Sequence, residues 1–202
     1  QNKDNFIDQP LGETFILSNR WMIFGKKGRE LQVGGKLNTA SNWGGNENYE
    51  PRENPFYSPE WGMKMKTSRI DTWAKIGKAY EHKPWKSMGL QLSYSYHTQQ
   101  MLAGRQTYDA EEGSLYANYI YQTIIKNTNR ILKFGGTMQQ TNRTENVNTI
   151  AYNNTENVIG AFTEYAHTFS RQVNMVLGLR LDYNSLYGLY TTPRLHIRYA
   201  PS

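Results

Sequence analysis

The chain has 202 residues, 23 Lys and Arg against 17 Asp and Glu, a formal charge of +6 and no cysteine. No apolar run is long enough for a membrane helix, and the missing cysteines exclude disulfide scaffolds, thiolate metal sites and cysteine nucleophiles. A mean hydropathy of −0.76 would suit a disordered chain, but 15 Tyr, 7 Phe and 5 Trp argue for a packed fold, since disordered chains are poor in aromatics.

The opening run Gln1–Asn5 has no initiator Met and no apolar signal-peptide core, so the chain is expected to be a mature or excised piece. Strands are then expected over Thr14–Phe24 and Glu30–Ala40. In the second of these Leu31, Val33 and Leu37 oppose Gln32, Lys36 and Asn38, the period-2 pattern of a half-wet strand. A long loop, Ser41–Lys66, precedes strands at Thr67–Tyr80 and Ser87–Thr98. The latter sets Leu90, Leu92, Tyr94 and Tyr96 against Gln91, Ser93, Ser95 and His97. Strands at Ser114–Lys126, Ile131–Asn142, Thr155–Phe169, Val173–Asn184 and Thr192–Tyr199 follow. Leu177, Leu179, Leu181 and Tyr183 share one face, with Arg180 and Asp182 opposite. Several of these segments exceed the usual 5–6 residues of a soluble strand, and a membrane-spanning strand needs about 9–11.

Short links (Gly25–Arg29, Glu81–Lys86, Asn127–Arg130, Ser170–Gln172) alternate with longer ones (Ser41–Lys66, Gln99–Gly113, Arg143–Asn154), Ser185–Thr191 being only moderately long. The expected fold is therefore all-β: an antiparallel up-and-down meander of about nine long strands, part of a transmembrane β-barrel with tight periplasmic turns and long extracellular loops. Tyr80, Tyr96, Tyr183 and Tyr199 are candidates for interfacial girdles. The alternative is a soluble β-sheet binding module of carbohydrate type, with one wet face.

Three segments in the C-terminal third carry a resemblance: Gly160-Ala161-Phe162-Thr163-Glu164-Tyr165, Gly178-Leu179-Arg180-Leu181-Asp182-Tyr183 and Thr192–Pro201. Their order resembles consecutive barrel strands of TonB-dependent outer-membrane receptors, particularly those of Bacteroidetes. Leu17-Ser18-Asn19-Arg20-Trp21 followed by Leu31–Lys36 is similar to an earlier hairpin of the same barrels. The resemblance implies a middle portion of a barrel spanning residues 1–202, lacking the plug, the TonB-binding segment and the C-terminal strands. It further implies import of a scarce nutrient of the ferric siderophore, haem or cobalamin class, with the TonB complex engaged through the missing N-terminal region. It leaves open a surface lipoprotein as a further partner, beside outer-membrane lipid and the small nutrient ligand.

Ligand-binding candidates are the aromatics of the first long loop, Trp43, Tyr49, Phe56, Tyr57 and Trp61, which suit a flat or amphipathic ligand or else pack on their own neighbours. Lumen-facing candidates are His97, Glu164, Arg180, Asp182, Arg194, His196 and Arg198. Asp182 and Glu164 are expected to pair with Arg180 or Arg198 across strands. No catalytic residue is expected, since nucleophile, phosphate-loop and dinucleotide motifs are absent. No metal site, cofactor or nucleic-acid partner is expected either. Lys26, Lys27 and Arg29 in one tight turn, and Lys83 and Lys86 in another, admit two readings: contacts to anionic head groups, or ordinary solubilising turn residues, the preferred one.

Overall fold

The computed structural model describes residues 4–50 and 60–201. Among them are nine strands and no helix: β1 (Leu11–Gly25), β2 (Arg29–Gly45), β3 (Gly62–Tyr80), β4 (Lys83–Ala103), β5 (Gln106–Ile125), β6 (Asn127–Val147), β7 (Ile150–Thr168), β8 (Val173–Asn184) and β9 (Gly188–Tyr199). Each pairs antiparallel with the next in chain order, giving one nine-stranded up-and-down sheet. The expected fold class, strand number and topology are thus observed.

The longest strands are longer than their sequence pattern indicates. β4 and β6 each have 21 residues. The expected loops Gln99–Gly113 and Arg143–Asn154 are instead continuous hairpins, closed by turns at Gly104-Arg105 and Asn148-Thr149. In these outer parts polar residues occupy both faces and the few apolar ones, such as Met101 and Leu102, fall on either side, so the backbone ladder holds strands that no alternation marks. Among the described residues, the link from β2 to β3 is the long one at this end, leaving the sheet after Gly45 and re-entering it at Gly62. Asn148 sits at a φ of 55°, and its Oδ1 accepts the Thr107 N–H at 2.9 Å. We expect Asn148→Ala to cost about 1 kcal/mol, and Asn148→Gly less, by thermal unfolding, because only Gly and Asn tolerate this conformation well.

Directly opposed residues share a face of the sheet. Leu17, Leu37, Ile70 and Tyr96 therefore lie on one side. The same parity carries through Leu115, Met138, Ile159, Leu181 and Leu195. Side chains of this apolar face are largely exposed: Ile70, Leu115, Ile159, Leu181 and Leu195 all stand in the open. Within the described strands the buried side chains are polar ones from the other face, Thr137, Asp182 and Asn184. A water-soluble protein has the reverse distribution.

The sheet is also sheared. The ladder leads from Gly25 through Lys78, Tyr121 and Thr163 to Pro193. Gly25 ends β1, whereas Pro193 lies six residues before the end of β9 at Tyr199. At about 3.3 Å per residue and about 4.8 Å per strand, that slip over eight spacings inclines the strands by roughly 27° from the perpendicular to the line of their turns. Inclination with stagger is what closing a sheet into a barrel demands.

Candidate functional site on the polar face

All four side-chain ion pairs among the described residues lie on the polar face. They are Arg69–Asp71, Lys133–Glu164, Arg143–Glu112 and Arg180–Asp182. Their density follows from the register, which stacks charged positions of neighbouring strands in rows. Arg69, His97, Glu112 and Arg143 occupy one such row across β3 to β6. Arg143 donates from Nε at 2.8 Å and from Nη2 at 2.5 Å to Glu112 Oε2. Charge-assisted bonds of this kind are stronger than neutral ones.

The most enclosed group is on β6 to β8. Arg180 Nε donates to Asp182 Oδ2 at 2.6 Å, and its Nη2 donates to Thr137 Oγ1 at 2.8 Å. The Asp182 side chain is only 4% exposed, that of Arg180 39%. Between β6 and β8 sits Gly160, paired with Thr137 on one side and Asp182 on the other. A Cβ there would stand 2.0 Å from Asp182 Oδ1 and 2.9 Å from Thr137 Oγ1. Glycine is what lets the carboxylate lie flat against the sheet. Gly160→Ala should displace Asp182 and lose roughly 1–3 kcal/mol of stability, the cost of overpacking, measurable by denaturant titration.

This cluster borders an open cleft of about 270 Å³ reached by Gln139, Thr141, Glu156, Asn184 and Tyr190. Asn184 Nδ2 donates to Glu156 Oε1 at 2.6 Å, and Asn184 Oδ1 caps the β8–β9 turn by accepting the Leu186 N–H at 2.8 Å. Four buried side-chain atoms on the polar face have no hydrogen-bond partner among the described residues: Asn38 Oδ1, His97 Nδ1, Asn118 Oδ1 and Asp182 Oδ1. Such atoms require water or another group to cover them. The cleft is suited to holding hydrogen-bonding molecules. It has no nucleophile–base pair, and the described residues contain no group of three or more His, Cys, Asp or Glu able to hold a metal.

The register puts all seven lumen-facing candidates on this face. Arg180 and Asp182 come together, but along β8 rather than across strands, because alternate residues of one strand point the same way. Glu164 pairs with Lys133 Nζ at 3.2 Å, and not with Arg180 or Arg198. Arg194, His196 and Arg198 line β9, opposite Gly178, Val176 and Asn174. Thr137, Glu112, Arg143, Glu156, Asn184 and Gly160 were not singled out from sequence. The parity of each strand marks their face, but their partners depend on register.

The loop aromatics separate. Trp43 lies within β2, opposite Leu11 and Lys64, so it belongs to the sheet and not to the expected loop. Tyr49 folds over Gly62, where a Cβ would meet its ring at 2.3 Å. Its exposure is 7%, and burial pushes its phenol above the usual range. Trp61 is exposed and faces Phe6 at a centroid distance of 6.2 Å. Phe56 and Tyr57 fall outside the described residues. Among the described residues these aromatics pack on their neighbours and do not converge on one pocket.

No family model matches the chain, and no curated protein does. Among solved structures, the siderophore receptor PirA from Pseudomonas aeruginosa aligns with a TM-score of 0.55 and 11% identity, over 94% of this chain and 37% of that one. The chain therefore spans a little over a third of that receptor's length, and the likeness is one of fold. The ferric yersiniabactin uptake receptor FyuA from Yersinia pestis aligns at a TM-score of 0.42 and 10% identity, over 98% of this chain and 39% of that one, too loosely to carry an argument.

Proposed function

We propose that the chain is a middle portion of the wall of an outer-membrane receptor barrel that imports a scarce nutrient. One observation carries the reading. On the apolar face, no Asp, Glu, Lys or Arg occurs in any of the nine strands between the row of Arg29 and Lys78 and the row of Ser68 and Glu111. Ser68 and Lys78 lie 10 residues apart on β3. That is about 33 Å along the strand at about 3.3 Å per residue. At an inclination of roughly 27° it becomes about 29 Å along the normal, close to the thickness of a hydrocarbon core of about 30 Å. The lipid-facing side is then uncharged, while charges collect and pair on the lumen side.

In this reading the two-residue-capped hairpins and the 46–61 loop reach outside, and the short turns face the periplasm. The rows of paired charges and the cleft at Arg180 and Asp182 line the passage, where a plug supplied by the rest of the protein covers the unpartnered polar atoms. The fold likeness to a siderophore receptor, together with the resemblance of the strand motifs to TonB-dependent receptors, favours a ferric siderophore, haem or cobalamin class of cargo. It also favours energy supplied through the TonB complex. The wall contributes positioning and solvation, with no chemistry of its own.

The test is fractionation of the full-length protein, with growth on each nutrient class as sole iron or cobalamin source. The expected result is an outer-membrane species whose gel mobility shifts on heating, and a growth defect on one nutrient when it is deleted. A protein that stays monodisperse in buffer without detergent would instead establish the soluble binding module.

A further inference from the structure

Charge on the outward face is divided between the two ends of the sheet. At the turn end the register places Arg29, Lys78, Lys83 and Arg130 on the apolar face just beyond its uncharged band. Lys26, Lys27, Lys126 and Arg171 occupy the adjoining turns. Against these eight cations stands one outward acid at this end among the described residues, Glu81, since Glu30 lies on the polar face. At the loop end the balance reverses: Glu13, Asp109 and Glu111 share the face with Lys64 and Lys66, and Glu47, Glu50 and Glu60 lie in the neighbouring loop.

The turn-end cations differ from the charges on the polar face in a second way. None of the eight is in an ion pair among the described residues, whereas the polar face pairs eight of its charged groups. Two of them also occupy expensive backbone positions. Lys27 and Lys126 have φ of 62° and 66°, where Gly or Asn costs less. The first two turns are drawn together, because the Ala79 N–H donates to the Gly28 carbonyl at 2.8 Å. This brings Lys27, Arg29, Lys78 and Lys83 around one open cleft of about 320 Å³, which Glu81 also lines. Lys78 Nζ lies 5.0 Å from the centre of the Tyr80 ring. Aromatics mark the same level of the sheet: Tyr121 and Phe134 in contact at 5.3 Å, and His167 stacked on Phe169 at 4.1 Å.

An aromatic belt with unpaired cations beyond it is the arrangement that meets phospholipid head groups. We propose that the turn end is a binding rim for anionic phospholipids of the adjoining leaflet, with the cleft between Lys27, Arg29, Lys78 and Lys83 seating one lipid phosphate. This rests on the membrane-wall reading above. Long Lys and Arg stems lie along the apolar band while their heads reach the phosphates. A zwitterionic head group offsets its phosphate with its own ammonium, so it attracts unpaired cations less than an anionic one.

The full-length protein, folded into bilayers containing equal phosphatidylcholine and phosphatidylglycerol, tests this by native mass spectrometry of the lipids it retains. Insertion is scored separately by the heat-dependent gel shift. The expected result is selective retention of phosphatidylglycerol. It should fall by roughly fivefold for each charge removed in Lys27→Gln, Arg29→Gln and Lys83→Gln, the scale of a basic residue at an anionic surface. The preference should also fade in about 1 M salt, where the Debye length is about 3 Å. The control pair Lys66→Gln and Arg105→Gln, at the opposite end, should leave retention unchanged. Insertion without a preference, or an equal loss in the control pair, overturns the rim and leaves the membrane reading intact. Failure of the unmodified protein to insert into either lipid overturns both.

Discussion

Leu92→Arg should destabilise the bilayer-folded protein by about 2–4 kcal/mol, the cost of a cationic side chain at the lipid midplane, while Ser93→Arg, one residue on, should change stability by less than about 1 kcal/mol. Leu92 lies mid-strand on the apolar face, between Ala74 and Ala117, and Ser93 on the polar face between Trp73 and Tyr116. Arginine at 93 joins a side already lined by ion pairs and hydrogen-bonding side chains. In the proposed barrel wall, arginine at 92 has only lipid to meet. Reversible folding into vesicles, followed by tryptophan fluorescence against denaturant, reads both. Equal costs at the two positions would mean that the exposed apolar face does not contact lipid.

The second large effect is at the buried carboxylate. Arg180→Ala removes the guanidinium that donates to Asp182 and Thr137, leaving a carboxylate that is 4% exposed without compensation. Stranding a buried charge in this way costs 3–5 kcal/mol when both partners are buried. Arg180 remains partly exposed, so about 3 kcal/mol is expected. Asp182→Asn keeps the shape and removes the charge, and on its own should cost about 1 kcal/mol. Combining it with Arg180→Ala should recover most of the loss, because no buried charge is then left. A double mutant as unstable as Arg180→Ala would show that packing around Gly160, and not the ion pair, holds this region together.

Much of the wall was readable before the structure, and the reason is specific. In segments such as Leu177–Tyr183 or Leu90–His97 one face is apolar and the other polar, so alternation survives in the sequence and gives both strand and parity. Beyond Tyr96 on β4 or Met138 on β6 the alternation stops. Gln99, Gln100, Thr141 and Asn142 read as loop although they are ladder. The site was less legible for another reason. Parity marked Arg180, Asp182 and Glu164 as sharing a face, but which partner each finds depends on register across strands far apart in sequence. Lys133 is 31 residues from Glu164 and Thr137 is 43 from Arg180. Gly160 carried no chemical signal; its role is to be small where a carboxylate needs room.

The two-residue tips of the β4–β5 and β6–β7 hairpins constrain how these projections change in descent. Because each rung of the ladder takes one residue from either strand, a projection that stays a paired hairpin can lengthen or shorten only by matched additions on both sides. A single insertion would turn every residue between itself and the next bulge to the opposite face, exchanging Glu112 and Arg143 for neighbours of the wrong kind. Variation among related chains should therefore appear here as paired, register-conserving changes, whereas the 46–61 segment, free of any ladder among its described residues apart from the single bridge from Asn46 to Phe6, is where unmatched insertions can accumulate.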